Sequence, residues 1–265
     1  MRELVSINIP TYNSEATIDK CIGHAKNQTY KKIEIIVIDG YSKDKTLDIA
    51  KKYGCKIVMC KGGLLEARIR GARASRGKYI LFLDSDQILK PTTVERAVEK
   101  IKDYDSIWLY ERAYNRDKFL PSLYDADRLL VQKFLKEGVV LPRFFRRNLL
   151  LKAMNKIPKK IYDVCRAHDH LIIWHEFKKI SDKTGRVEDA VEHIEPSGLL
   201  ELFKKQFRWG KTTKEFYVKA GPYKTLVRRQ HRFRKFHKEN LVWSVKSFIL
   251  RVLRGIPYKL GYWFG

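Results

Sequence analysis

The sequence predicts an α/β fold built on a mostly parallel sheet with helices on both faces. From residue 4 to about residue 110, short apolar runs alternate with amphipathic segments, which is typical of successive βαβ units. Of the 265 residues, 44% are hydrophobic and 12% are aromatic, which is enough for one large core. The last quarter differs, because it is strongly basic and has helical periodicity. We therefore expect one α/β unit followed by a helical tail.

Strands and helices alternate regularly in the first 110 residues. Apolar runs predict strands at 4–10, 33–39, 55–59, 79–84 and 105–110. Helices are predicted between them, near 14–27, 44–53, 64–75 and 91–102. Ser14 with Thr17 marks the start of the first helix, and Pro91 is typical of a first helical turn.

The rest of the chain predicts a less regular series of elements. Helices are expected near 125–137, 147–154 and 169–179, with a short extended piece at 142–147 and a strand near 187–194. The tail contains two further helix candidates, at 198–209 and 239–254.

Polar residues stand where three of the predicted strands end. They are Pro10, Thr11, Tyr12 and Asn13 after the first strand, Asp39 after the second, and Asp84, Ser85 and Asp86 after the fourth. Ligands of open parallel sheets bind beyond the carboxyl ends of the strands. A buried carboxylate without a partner is costly, so positive charge should accompany Asp84 and Asp86.

Three segments carry a family resemblance. They read SINIPTYNSEATIDKCI, IEIIVIDGYSKDKTLDIA and RGKYILFLDSDQIL, in this order. Together they resemble the N-terminal half of a glycosyltransferase family 2 enzyme of the GT-A fold. The likeness covers residues 4 to about 100 and, more loosely, 165–210. It implies a nucleotide-sugar-binding half at 1–110, an acceptor-binding and catalytic half at 111–215, and a basic amphipathic tail at 216–265.

The resemblance implies a donor site along the strand ends. In this family, the turn at 10–13 and the carboxylate corresponding to Asp39 hold the nucleobase and ribose of a UDP- or GDP-linked sugar. Arg68 resembles a family position near the nucleotide. Asp84 and Ser85 are predicted to contact the same donor. Each has an ordinary alternative, since Asp39 could cap a helix and Tyr12 could be a packing residue.

The resemblance also implies a divalent ion, Mn²⁺ or Mg²⁺, held by the acidic pair. Asp86 is the predicted ligand, with Asp84 beside it. Some family members add a histidine just after a strand, and His193 in the HIEP segment fits that position. A divalent ion there neutralises the donor diphosphate and helps it leave. A lone histidine is otherwise more often a satisfied core or surface residue.

The segment RAHDHLIIW resembles the place where inverting family members keep their catalytic base. Asp169 aligns with the family carboxylate at the start of a helix, whereas His168 stands where a glutamate often stands. A carboxylate there can remove the proton of an attacking hydroxyl. The alternative is that Asp169 caps the helix.

Four further residues are predicted to contact the acceptor or the diphosphate. They are Arg143 and Arg146 in PRFFRR, and Arg208 and Trp209. The last two, with Gln206, resemble the Gln-x-x-Arg-Trp element of polysaccharide synthases. One intervening residue is missing here, which argues against a processive polymerase.

The formal net charge is +25, and most of it lies near the C-terminus. Residues 202–265 contain 17 basic and two acidic residues. Such an excess favours polyanionic partners such as nucleic acid, anionic lipid or phosphorylated substrates. Arginine with interleaved Phe and His, as in 228–238, can hold nucleic acid. A nucleic-acid module does not need the donor motifs, so we expect an anionic membrane surface rather than nucleic acid.

The helix predicted at 239–254 has two unlike arcs. The apolar arc contains Leu241, Val245, Phe248, Ile249 and Val252, and the polar arc contains Ser244, Lys246, Ser247, Arg251 and Arg254. A basic face, an apolar face and flanking Trp and Tyr are typical of a helix in a membrane interface. The alternative is that the apolar arc packs on the catalytic unit.

The sequence therefore predicts a metal-dependent, inverting family 2 glycosyltransferase, peripheral on the cytoplasmic face of the cell membrane, with a lipid-linked acceptor. One alternative is a polyprenyl-phosphate glycosyl synthase, whose acceptor phosphate is the nucleophile, and another is a basic nucleic-acid-binding module. No secretion signal or ordinary transmembrane helix is expected. Four cysteines without metal-ligand spacing predict a reduced, cytosolic setting.

Overall fold

The computed structural model describes residues 2–134, 142–166, 168–226 and 238–265. The described strands form one eight-stranded sheet in the order β3-β2-β1-β4-β7-β6-β8-β5. Their bounds are β1 Val5–Thr11, β2 Ile33–Asp39, β3 Lys56–Met59, β4 Tyr79–Phe82, β5 Gln87–Leu89, β6 Ser106–Ala113, β7 Phe144–Arg146 and β8 Thr184–His193. All five strands predicted in the first 110 residues are confirmed.

The first four strands form the parallel half of the sheet. β1 lies between β2 and β4, and β2 pairs with β3, each in parallel. Thr11 pairs with Asp39 at the carboxyl ends of β1 and β2, so these two residues share one rim. Because β4 pairs with β1 in the same direction, its end brings Asp84 to that rim as well.

The second half of the sheet mixes directions. β7 runs antiparallel to β4 and β6, and β8 runs parallel to β6. The short β5 pairs antiparallel with the end of β8, so Gln87 faces His193. The sequence did not predict β5 as a separate strand, yet this pairing carries His193 next to Asp86.

The described α-helices agree with the predicted order, with some changed bounds. They are α1 Glu15–Lys26, α2 Thr46–Lys52, α3 Leu64–Ala74, α4 Thr93–Lys100, α5 Phe119–Phe134, α6 Arg147–Met154, α7 Asp169–Lys178, α8 Leu199–Lys219 and α9 Leu241–Phe264. α5 starts earlier than predicted, and the predicted end at 135–137 lies outside the described residues. α8 and α9 are each about ten residues longer than predicted, and α9 continues through Pro257. The predicted boundaries at residues 110 and 215 fall inside β6 and α8.

The sheet is covered on both faces. Along β4, Leu81 points into one buried cluster with α1 and α4, and Ile80 and Phe82 point into another with α3, α6 and α7. Alternate side chains of a strand face opposite sides, so a strand that is apolar throughout must be covered on both. This is an α/β, GT-A-like fold.

Helix α9 packs on α5 and α8 with its small and polar side chains. Ser244 and Ser247 are 5% and 3% exposed, and Leu250 is fully buried in a small cluster with residues of α5 and α8. Ser247 donates a hydrogen bond to Asp127 at 2.5 Å, and Arg251 forms an ion pair with the same carboxylate at 3.4 Å. The polar arc therefore faces the protein.

The apolar arc of α9 faces outward. Its exposed side chains are Leu241 at 60%, Val245 at 43%, Phe248 at 45%, Ile249 at 36%, Val252 at 42% and Ile256 at 58%. On the polar arc, the Ser247 hydroxyl and the Arg251 guanidinium group bond to Asp127 of α5. The alternative that the apolar arc packs on the catalytic unit is wrong. The basic segment at 228–237 lies outside the described residues.

Two glycines let α8 and α9 approach closely. A Cβ at Gly210 would meet the backbone of Tyr258, and one at Gly261 would meet the backbone of Phe207. Small residues at such a crossing allow the helix backbones to touch. In the part of the chain that the structure describes, no helix is both long enough and apolar enough to cross a membrane.

Candidate active site

The loops after β1 and β2 build a polar pocket around Asp39. The Asp39 carboxylate is fully buried and accepts hydrogen bonds from Thr11 Oγ1 at 2.9 Å, the Ser42 backbone N–H at 2.8 Å and Ser42 Oγ at 2.6 Å. Ser42 Oγ also accepts a hydrogen bond from the backbone N–H of Asn13 at 2.8 Å. The two loops are therefore locked together, and Asp39 does not cap a helix.

Exposed aromatic rings stand at the rim of this pocket. Tyr12 is 59% exposed and Tyr41 is 47% exposed. Asn13 and Tyr41 have φ values of 49° and 65°, in the left-handed region that is uncommon for residues with a side chain. These strained backbone conformations persist only where surrounding contacts stabilise them. The sequence did not single out Tyr41, although it follows Asp39 by only two positions.

The acidic pair and the predicted histidine come together as a possible metal centre. Asp84, Asp86 and His193 each offer one ligand atom, and these atoms lie within 4.8 Å of one another. His193 Nε2 is 3.5 Å from Asp86 Oδ1. The second ring nitrogen, Nδ1, is 3.0 Å from Glu195 Oε1. Nδ1 also lies within hydrogen-bond distance, 3.2 Å, of the Ile194 carbonyl oxygen. Such contacts to one ring nitrogen leave Nε2 facing the acidic pair, as in many metal-binding histidines.

The carboxylates next to His193 also affect its pKa. Burial lowers the pKa of this imidazole, but the carboxylates of Asp86 and Glu195 raise it further than burial lowers it, and the net shift is upward. Lys205 Nζ approaches Asp86 Oδ2 at 3.7 Å from α8. Positive groups thus accompany the acidic pair, as the cost of burying carboxylates requires.

Two arginines hold Asp84. Arg68 Nη2 lies 2.5 Å from Oδ1, and Arg143 Nη1 lies 3.0 Å from Oδ2. Burial alone would raise the pKa of Asp84, but the two guanidinium groups hold it well below its usual range. Asp84 is therefore ionised, and its oxygens are fixed beside the possible ion position.

Asp169 shares Arg68 with Asp84. It is the first residue of α7, it is 3% exposed, and Arg68 Nε donates a hydrogen bond to its Oδ2. His168 occupies the N-cap position, so the interpretation of Asp169 as the cap is wrong. Burial raises the pKa of Asp169, whereas Arg68 and His170 lower it by more. Arg68, only 1% exposed, thus bridges two predicted site residues.

His170 also belongs to this group, although it was not among the residues predicted from the sequence. Its Nε2 is 3.7 Å from Asp169 Oδ2 and 3.3 Å from Arg143 Nη1. Burial and the neighbouring Arg68 lower the pKa of His170 to about 4, so the ring is neutral at neutral pH. His168, in contrast, packs on Phe216 and its ring nitrogen bonds to Thr213 Oγ1 at 3.2 Å.

These contacts belong to one continuous chain of ion pairs. Its members, in order, are Asp169, Arg68, Asp84, Arg143, Glu111, Arg128, Glu195, His193, Asp86 and Lys205. Acidic and basic groups alternate along it, so each charge has opposite charges on either side. We name this set the ion-pair chain. It connects the predicted base at one end with the predicted metal ligands at the other.

Four members of the ion-pair chain were not predicted. Glu111 is on β6, Arg128 is on α5, Glu195 follows β8, and Lys205 is on α8. The first three meet because β6 and β8 are neighbours in the sheet and α5 packs against β6. The signal for these three in the sequence is weak, consisting only of single charges within otherwise apolar segments.

The other predicted contacts divide into two groups. Arg143 is buried within the ion-pair chain, whereas Arg146 binds Asp105 Oδ1 at 2.9 Å and the carbonyl oxygens of Ile101 and Tyr104. Arg146 pairs with Tyr79, at the start of β4, and therefore lies at the opposite edge of the sheet from the site. The prediction that Arg146 contacts the acceptor or diphosphate is wrong.

Of the remaining predicted residues, Ser85 and Trp209 have contacts close to the acidic pair. Ser85 Oγ is 3.0 Å from Ser14 Oγ, which ties the acidic loop to the start of α1. Trp209 lies under the Lys205 ammonium group, 5.5 Å from its ring centroid, while Arg208 is exposed on α8. Pro10 is buried within β1. The ion-pair chain can therefore bind a cation at Asp86 and an anion at a neighbouring basic group such as Lys205.

Residues 6–125, which include Asp39, Arg68 and the acidic pair, match the family model described as glycosyl transferase family 2. This matched segment, a little under half of the chain, is that of a glycosyltransferase family 2 enzyme. The predicted enzyme class is confirmed, and the alternative of a non-enzymatic nucleic-acid-binding module is wrong.

Two curated relatives of this glycosyltransferase differ in coverage. Glycosyltransferase GlyG of Streptococcus pneumoniae is 23% identical over 240 residues, covering 83% of this chain and 80% of GlyG. The UDP-Glc:alpha-D-GlcNAc-diphosphoundecaprenol beta-1,3-glucosyltransferase WfaP of Escherichia coli is 34% identical over 123 residues, covering 44% of this chain and 49% of WfaP. The chain thus spans most of one relative and about half of the other.

Two solved structures share the fold of the glycosyltransferase. S. aureus TarS 1–349 in complex with UDP-GlcNAc has a TM-score of 0.59 and 16% identity, covering 97% of this chain and 90% of that chain. Glucosyl-3-phosphoglycerate synthase from Mycobacterium tuberculosis, in complex with Mn²⁺, UDP and phosphoglyceric acid, has a TM-score of 0.56 and 21% identity, covering 82% and 77%. The identities are low, so this likeness concerns the fold.

Proposed function

We propose that the enzyme moves a sugar, with inversion, from a UDP-linked donor to a hydroxyl of a lipid-linked acceptor. The observation that carries this proposal is the grouping of Asp84, Asp86 and His193 within 4.8 Å, on the rim that also holds Asp39. The proteins of the two solved complexes bind UDP-GlcNAc or UDP. A UDP-linked donor is the corresponding proposal for this chain.

The donor set at the acidic pair fits a divalent ion. Two carboxylates and one imidazole nitrogen suit Mn²⁺, and they also accept Mg²⁺. Asp86 and His193 would hold the ion directly, with Asp84 held beside it by its two arginines. When bound, such an ion neutralises the diphosphate and stabilises the leaving nucleotide.

The Asp39 pocket is suited to the nucleoside. Its fully buried carboxylate accepts three hydrogen bonds from Thr11 and Ser42 and so holds the two loops in place, while the exposed Tyr12 and Tyr41 rings offer faces for stacking on the base. The hydrogen bond from the Asn13 backbone N–H to Ser42 Oγ connects the two loops, so they are held together before the donor binds. Lys205, on α8, is placed to move from Asp86 to a phosphate oxygen, because its ammonium group is only 3.7 Å away.

Nucleotide titration tests the proposal. We expect UDP to bind measurably tighter with Mn²⁺ than without it in isothermal calorimetry. Asp86→Asn should remove most of this metal-dependent gain, because it removes the least restrained carboxylate of the group. Asp48→Asn, an exposed substitution on α2, serves as the control with the same chemical change. If neither UDP nor GDP binds the wild-type chain under any condition, the proposal is wrong.

The role of Asp169 distinguishes two kinds of acceptor. A general base must take a proton from the acceptor hydroxyl, and a lowered pKa with a bond to Arg68 makes Asp169 a weak base. This observation favours the second candidate, a polyprenyl-phosphate glycosyl synthase, whose acceptor phosphate is already an anion. For the first candidate, acceptor binding would have to separate the carboxylate from Arg68.

Replacing Asp169 by Asn separates the two candidates. With a hydroxyl acceptor, turnover should fall about 10²- to 10⁴-fold. Near-wild-type turnover in a folded protein would contradict the base and support the phosphate acceptor. Asp163→Asn, at an exposed carboxylate just before α7, is the matched control.

Membrane attachment is the last part of the proposal. The apolar arc of α9 is exposed, and a lipid-linked acceptor, suggested by the name of WfaP, is found at a membrane. We place the enzyme on the cytoplasmic face of the cell membrane, where nucleotide sugars are available. Flotation with vesicles should be lost when Val245 and Phe248 are both replaced by Ser, while UDP binding stays unchanged. Equal flotation of the wild-type protein and the double variant would contradict membrane attachment through the apolar arc.

A further inference from the structure

A basic and aromatic groove lies between the C-terminal parts of α8 and α9. Its volume is about 560 Å³, within the range of small-molecule sites. Three lysines, Lys214, Lys224 and Lys259, contribute to its wall. None of the described residues that line it belongs to the ion-pair chain, so it is separate from the donor site.

Packing of the two helices gives the groove firm aromatic walls. Gly210 and Gly261 allow the backbones to approach, which brings the side chains beyond them together. The Tyr217 and Tyr262 rings meet edge to face with centroids 6.1 Å apart, and Tyr262 meets Trp263 in the same way at 5.5 Å. These rings present apolar surface beside the lysines.

The groove is positively charged and is therefore suited to an anion. No Asp or Glu is found among the described residues that line it. Three ammonium groups around one opening repel one another, and a bound phosphate relieves that repulsion. Lysine donates up to three hydrogen bonds, and phosphate oxygens are strong acceptors.

The groove opens beside the apolar arc. Trp263 is 67% exposed and lies on the same side of α9 as Val245 and Ile256, at about 100° per residue. Lys259 is also exposed there, one turn beyond Ile256. When the apolar arc lies in a bilayer, the groove is therefore at the level of the head groups, where Trp and Tyr are also favoured.

We propose that this groove binds the phosphate head group of an anionic membrane phospholipid. The lysines contact the phosphate, and the aromatic rings pack against the glycerol and the first methylenes of the chains. The inference rests on the membrane attachment proposed above, and it adds a preference for anionic lipid that the apolar arc alone does not supply.

Vesicle partitioning of the full chain tests this site. The wild-type protein should partition more strongly into vesicles of phosphatidylcholine with one-third phosphatidylglycerol than into phosphatidylcholine alone. Lys214→Gln combined with Lys259→Gln should lower partitioning into the anionic vesicles at least about tenfold, since each lysine near the surface contributes substantially. Partitioning into neutral vesicles should stay the same.

A matched pair of substitutions separates a site from diffuse attraction. Lys204→Gln with Lys211→Gln makes the same charge change on α8 outside the groove. An equal loss in the two double variants would overturn the site, and so would a wild-type protein without lipid preference. Millimolar inorganic phosphate should not compete; if it does, the groove takes free phosphate instead of lipid.

Failure of the groove remains distinct from failure of the glycosyltransferase proposal. UDP binding with Mn²⁺ is measured for every variant in lipid-free solution. Loss of lipid preference with unchanged UDP binding supports the groove. A wild-type protein that prefers anionic vesicles but binds no nucleotide would retain the groove and overturn the proposed activity.

Discussion

Strand β4 and helix α9 place their apolar side chains in opposite ways. In β4, Ile80, Leu81 and Phe82 are fully buried between the two helical layers. In α9, the apolar arc is exposed, and Ser244 and Ser247 are buried. Basic groups beside both elements face inward, Arg68 of α3 toward Asp84 and Asp169, and Arg251 of α9 toward Asp127. Helix α9 is therefore distinguished from β4 by its exposed apolar surface.

The largest expected effect comes from breaking the inward-facing charge in the α/β region. Arg68→Met leaves the buried Asp169 carboxylate without its guanidinium partner and leaves Asp84 with Arg143 alone, and we expect the free energy of unfolding to fall by about 3–5 kcal/mol. Urea denaturation measures this. Arg70→Met is the control on the same helix, because the half-exposed Arg70 pairs with Glu66 and should contribute about 1 kcal/mol or less. Equal losses would contradict the structural role of Arg68.

A second effect appears as a dependence on pH. The pKa of His170 is about 4 in the folded protein, compared with an ordinary 6.5. As the pH falls from 6.5 to 4, the unfolded chain binds a proton that the folded chain does not, so stability decreases by up to about 3 kcal/mol. His170→Asn should flatten the slope in this window. A flat wild-type profile in this window would contradict the neutral buried ring.

Neighbouring residues of α9 test the tail directly. Ser247→Leu places a larger apolar group against α5 and removes the bond to Asp127, so we expect a loss of about 2 kcal/mol. Phe248→Ser, on the apolar arc, should change the free energy of unfolding by only about 0.5 kcal/mol. Thermal unfolding in lipid-free buffer compares them. The opposite order would mean that α9 packs by its apolar arc.

The parallel half of the fold could be predicted from the sequence, because short apolar runs that alternate with amphipathic segments are compatible with few architectures other than βαβ units. It also predicted that Asp39, Asp84 and Asp86 share a rim, since parallel strands end at the same edge. The position of His193 followed only from a family resemblance. In the structure it depends on β5, three residues long and too short to recognise as a strand from its pattern.

Other errors arose where distant contacts decide the outcome. Arg143 and Arg146 lie in the same extended piece, and the register of β7 places only the first at the site. Periodicity identified the two arcs of α9 correctly. It could not show which arc faces the protein, because that depends on Asp127 of α5 and on the glycine crossing with α8.

The ion-pair chain has a consequence for ionic strength. It contains five carboxylates, four guanidinium or ammonium groups and one imidazole. The ion-pair chain itself is therefore close to neutral, although the protein has a net charge of +25. A donor that arrives with a divalent ion is itself almost neutral. Such binding changes little as salt is added, whereas exposed charges are screened within about 10 Å at 0.1 M salt. If the two proposals hold, donor binding would change little with salt, whereas binding of the groove to anionic lipid would weaken as salt rises.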